Sequence, residues 1–125
     1  MKIFLICPVR DPDKDTTIAV YEYVADLEAK GHQIYWPTRD TKQNDPSGGY
    51  QVCRMNFTAI LEADEIHIWY DEKSNGSKFD MGGVFMLIEM LGYNKKIVIV
   101  NREEAEALDI NNRKSFLKVM KHLID

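Results

Sequence analysis

The feature that most limits what this chain can fold into is a regular alternation of short apolar runs with helix-length segments. Runs rich in Ile, Val and aromatic residues occupy residues 2–7, 32–36, 65–70 and 96–100, each bounded by turn-forming residues, and predict strands. Residues 16–30 carry Ala19, Val20, Tyr23, Val24 and Leu27 at helical spacing, and Gly31 just beyond is a suitable stop. The pattern recurs over residues 49–63 (Val52, Cys53, Ile60, Leu61), 77–91 (Phe85, Leu87, Ile88) and 112–124 (Phe116, Val119, Met120, Leu123). Successive strand–helix units predict a parallel sheet covered on both faces. Right-handed crossovers then favour a flavodoxin-like (Rossmann-like) three-layer α/β sandwich with strand order 2-1-3-4 and at most a short fifth strand. Ligands of such sheets bind at the carboxyl ends of the strands. A chain of 125 residues is expected to form one domain over residues 1–125.

Charge and residue usage exclude several function classes. The net charge of -4 is spread along the chain, and no basic stripe with interleaved aromatics is present to follow a nucleic-acid polymer. The apolar opening up to Cys7 ends at Pro8 and Arg10, too soon for a signal-peptide core or a membrane span, so a cytoplasmic protein is expected. Cys7 and Cys53 form no CxxC pair, and His32, His67 and His122 show no ligand spacing, so neither a metal nor another cofactor is expected.

In this fold every strand-to-helix connection opens onto one edge, which confines the search for chemistry. After the first strand, Cys7 and Pro8 lead to Arg10, whose guanidinium either holds a phosphate or serves solubility. Cys7 itself, ending an apolar strand, reads as buried and structural. Trp36 and the run Trp69-Tyr70-Asp71 end strands 2 and 3 and offer rings for stacking a base, or for packing the core. Residues 37–49 form the one long polar connection, read as a binding loop or lid, or as a plain mobile loop. Asn56 falls on the inward face of the following helix, where its carboxamide needs a partner, structural or ligand.

The run Ser74-Asn75-Gly76-Ser77-Lys78-Phe79-Asp80 carries most of the weight. Ser77-x-x-Asp80 before an apolar stretch is a capping-box pattern, preferred on pattern alone. The alternative is that free amides and the helix dipole keep Asp80 ionised and hold a phosphate, so that the carboxylate faces a sugar as a glycosidase nucleophile.

Ile60-Leu61-Glu62-Ala63-Asp64-Glu65-Ile66 followed by Ser74-x-Gly76-Ser77-x-Phe79-Asp80-x-Gly82 resembles the nucleoside 2-deoxyribosyltransferase-like proteins. The opening residues 3–10 and the strand around Ile97 extend the likeness over nearly the whole chain. The resemblance implies cleavage or transfer of the N-glycosidic bond of a 2'-deoxynucleoside or its 5'-monophosphate, through a covalent glycosyl-enzyme on a carboxylate. It also implies a homodimer with shared sites. Asp80 takes the nucleophile position, where the family usually has Glu, and Asn56 stands where an assisting Asp is common. Arg10 and Ser74 match phosphate-contacting residues of the hydrolase branch, with Gly76, Ser77, Cys7, Pro8, Trp36, Tyr70 and Asp71 completing the substrate site. Pro8 replaces a small hydroxyl residue.

Two rivals belong to other classes. An inactive nucleotide-binding or sensing module of the same fold fits the two changed positions. A two-component receiver is suggested by Asp11 or Asp13 and Asp71, but strand 4 ends in Val100-Asn101-Arg102 without the expected lysine.

Overall fold

The computed structural model describes residues 1–9 and 12–124. Its strands are β1 (Lys2–Ile6), β2 (Gln33–Tyr35), β3 (Glu65–Ile68) and β4 (Lys96–Ile99). They form one parallel sheet in the order β2-β1-β3-β4, as the crossover argument predicts. The fold is a flavodoxin-like three-layer α/β sandwich.

The alternation of side chains along β1 assigns the layers. Ile3, Leu5 and Cys7 point to one face, where Val20 and Val24 of α1 (Lys14–Ala29) cover them. Phe4 and Ile6 point to the other, with Ile66 and Ile68 of β3. There they meet Ile60 of α3 (Tyr50–Glu62), Met81 and Val84 of α4 (Asn75–Phe85) and Met120 of α6 (Phe116–Ile124). The close approach of α3 and α4 depends on Gly83, since a Cβ there would lie 2.0 Å from the Phe57 ring.

Helix ends follow local chemistry. Asp13 accepts the Thr16 amide at 2.6 Å, so α1 begins earlier than its apolar spacing suggests. Gly31 then leaves the helix at φ 93, a conformation that costs other residues dearly. The connection after β2 is structured. It opens with the helical turn α2 (Pro37–Asp40), and Gln43 Nε2 donates to the carbonyls of Pro37 and Thr41 at 2.9 and 3.0 Å. Asp45 accepts the Val52 amide at the start of α3.

Two expectations are corrected. Residues 102–108 form a helix, α5 (Arg102–Leu108), and α6 is shorter than residues 112–124 because its turn is organised around Asp109. The predicted third helix starts at Asn75 and gives way to a π-helical turn at Met86–Met90. The sheet has four strands among the described residues, within the expected four to five. At the edge of the sheet, the Arg39 guanidinium donates to the Ile34 carbonyl at 3.0 Å, to Glu28 and to both oxygens of Asp40, while Asp40 accepts the Trp36 amide at 2.8 Å.

Candidate functional site

The start of α4 overturns the capping reading of Asp80, and with it the expectation that free helix amides keep this carboxylate ionised. Ser74 is the N-cap: its Oγ accepts the Ser77 amide at 3.2 Å and donates to the Ser77 Oγ at 2.8 Å. The capping box expected at Ser77 and Asp80 is therefore absent. A serine three residues before a free amide occurs at 74 as well as at 77, and the chain uses the earlier one. Asp80 falls in the second turn, beyond the orphan amides, and has no capping duty.

What remains is a carboxyl group 9% exposed, on the helix face that packs against the sheet. Burial pushes its pKa up to about 7, and among the described residues no cation or hydrogen-bond donor opposes that shift. Such a group is half ionised near neutral pH and is matched to nucleophilic or acid–base work.

Its neighbours come from β1 and α3. Cys7 is buried, and its thiol is pushed up to about 11 by burial, with Thr38 and Trp36 drawing it partly back and the Asp80 charge adding to the rise. That thiol is inert at neutral pH, as expected. The Cys53 thiol is also raised, by burial first and then by Asp80 and Asp45. Asp80 thus lies within electrostatic range of the end of β1 and of the inward stripe of α3. Asn56, one turn along α3 from Cys53, belongs to that stripe and is 8% exposed. Its Oδ1 accepts a 2.7 Å hydrogen bond from the Thr41 hydroxyl, whose oxygen lies 2.6 Å from the Tyr35 hydroxyl.

The other expected residues divide. Pro8 is buried beside Cys7, and Gly76 is exposed in the first turn of α4 with open space around its Cα. Ser77 is 2% exposed, and the Ser74 hydroxyl is committed to the cap. Trp36 packs on the α1 side of the sheet, edge-on to Tyr21 at 6.3 Å, with its indole nitrogen buried. Tyr70 is taken by the core between β4 and α6, as the packing alternative for these rings allowed. Its backbone is clasped by the Asn101 carboxamide, which accepts from the Tyr70 amide at 2.7 Å and donates to its carbonyl at 2.9 Å. Asp71 accepts the Lys73 amide, tightening the loop toward Ser74. Arg10 lies outside the described residues, as does Asp11.

The sequence did not single out Tyr35, which ends β2, or Thr41, which follows α2. Grooves of about 390 and 330 Å³ flank β2 and α3, and both include Tyr35 but neither Asp80 nor Asn56. The described residues contain no group of three His, Cys, Asp or Glu able to hold a metal ion. No helix among them is long and apolar enough to cross a membrane. A scan against protein-family models, a search of curated proteins and a search of solved structures each return no match.

Proposed function

We propose that the chain binds a 2'-deoxynucleoside or its 5'-monophosphate at the carboxyl edge and cleaves its N-glycosidic bond with Asp80 as nucleophile. The observation that carries this reading is the state of Asp80: buried, excused from capping, and unopposed by any donor or cation among the described residues. An Asp80 oxygen attacks the anomeric carbon as the carbon–nitrogen bond breaks. The base leaves with the electron pair and takes a proton from solvent, and water or a second base then displaces the carboxylate. The Asn75 and Gly76 amides, with Arg10, would hold the 5'-phosphate.

The test is base release from nucleosides and 5'-monophosphates, followed by chromatography, with mass spectrometry of the denatured protein. Growth in mass by one deoxyribosyl or deoxyribosyl-phosphate unit at Asp80 is expected. Binding without turnover by wild type and by Asp80→Glu would replace catalysis with sensing, a reading favoured by Asn56, which cannot transfer a proton as a carboxyl would.

We also propose a homodimer packed through the end of α4 and the π-turn, where Met86 and Met90 remain 52% and 65% exposed beside Leu91 and Phe79. Light scattering should report a dimer at micromolar concentration, and Met86→Glu with Met90→Glu should leave a monomer. A wild-type monomer would overturn it.

A further inference from the structure

We infer that Asn56 is a fixed hydrogen-bond donor to the ligand, oriented through Thr41 by Tyr35, so that the site selects ligands presenting an acceptor next to Asp80. This inference rests on the proposed ligand site at the carboxyl edge.

The direction of the hydrogen bonds follows from counting donors and acceptors. The Tyr35 hydroxyl has one hydrogen, and the acceptors within reach are the Thr41 hydroxyl at 2.6 Å and the Asp40 carbonyl at 3.5 Å. The shorter contact takes it. The Thr41 hydroxyl, already accepting, spends its own hydrogen on Asn56 Oδ1 at 2.7 Å. Turning the carboxamide over would make Asn56 donate to Thr41 and push the chain's last hydrogen onto the longer contact. The oxygen of Asn56 is thereby held toward Thr41, which is 3% exposed and unable to turn to water. The amide nitrogen is left with both hydrogens, has no partner among the described residues, and is absent from the fully enclosed unpaired atoms. A side chain more than nine-tenths buried whose two amide hydrogens have no partner among the described residues is suited to receive an acceptor.

The chemical consequence is a constraint on the ligand. A carbonyl oxygen, an unprotonated ring nitrogen or a sugar oxygen satisfies the Asn56 amide, whereas a group offering only N–H at that place leaves donors facing donors. A carboxylate at position 56 would have the opposite preference. Thr41 and Tyr35 touch no ligand in this scheme and act as positioning residues.

The test measures equilibrium binding of 2'-deoxynucleoside 5'-monophosphates by calorimetry in an Asp80→Asn background, where no turnover occurs. The parent should bind. Adding Asn56→Asp, of equal shape but with an acceptor in place of the donor, should weaken binding at pH 8 at least tenfold. Thr41→Val should weaken it several-fold, and Thr41→Ser, which keeps the hydroxyl, should restore it; general structural damage would not give that rescue. Tyr35→Phe should fall between. If the parent binds and Asn56→Asp binds equally or more tightly, or if Thr41→Val and Thr41→Ser behave alike, the donor assignment is wrong while the ligand site stands. If the parent binds none of these nucleotides, the ligand site itself fails and takes the inference with it.

Discussion

Two buried aspartates in this molecule have opposite surroundings. Asp109, in the turn between α5 and α6, is 7% exposed and accepts hydrogen bonds from Asn112 at 2.8 Å, from Ser115 at 2.9 Å and from the Lys118 ammonium. Burial alone would raise its pKa, but those donors and the Lys118 charge outweigh burial and hold the group below the ordinary carboxylate value. Asp80 is about as little exposed but lies deeper in the fold, has no such partners among the described residues, and is raised to about 7. One carboxylate organises a turn. The other has no partner among the described residues and lowers stability when ionised, as the proposed nucleophile would.

The largest effect separating the two should come from Asp80→Asn. Cleavage is expected to fall by about three orders of magnitude or more, as for other lost nucleophiles, and wild-type activity should rise with pH through about 7 as the carboxylate ionises. Stability should move the other way. The folded pKa lies above the unfolded value of 3.8, so the folded state holds the proton more tightly and loses stability as pH rises from about 4 to about 7. Asp80→Asn should therefore stabilise the protein above pH 7, on the order of a few kcal/mol, and change little below pH 4. Melting curves at pH 4 and pH 8 measure this, and a lower melting temperature at pH 8 would return Asp80 to a structural role.

Next in size is Asp109→Ala, which strips three donors of their acceptor and should cost about 1 to 3 kcal/mol at neutral pH without touching base release. The pH dependence has the opposite sign. A folded pKa below the unfolded one gives stability that is present above about pH 4 and is lost as pH falls through the folded value. Wild type and Asp109→Ala should thus converge in acid, as urea titrations would show. The smallest effect expected is that of Ser74→Ala, about 1 kcal/mol from the lost cap of α4, with Asp80 still buried and activity changed only modestly. A loss of activity as large as that of Asp80→Asn would mean that Ser74 meets the ligand directly.

The strands were legible because each is a short apolar run closed by turn residues, and the order β2-β1-β3-β4 followed from the handedness of crossovers. Helix α5 was not, since Arg102–Leu108 buries only Ala105 and so has no apolar stripe to announce it. At the site, Asn56 could be singled out as a polar residue on an inward-facing helix position, and Asp80 by the run that precedes it and the resemblance it carries. The cap could not be placed, because Ser74 and Ser77 both stand three residues before an amide in need of an acceptor. Nor could the link from Tyr35 to Asn56, which closes only when the connection after β2 folds back onto α3 and brings Thr41 across to a residue fifteen positions away.

The Arg39 and Asp40 contacts at β2 bear on how this protein avoids unwanted association. Gln33 donates its amide to Met1 across the β1 pairing, so the alternate residues Ile34 and Trp36 turn their backbone groups outward. The Ile34 carbonyl is occupied by Arg39 and the Trp36 amide by Asp40. A foreign strand arriving there finds an acceptor and a donor already taken and a guanidinium in its path. Arg39→Ala would reopen that rim to fibril-like growth, most visibly on prolonged incubation at high concentration.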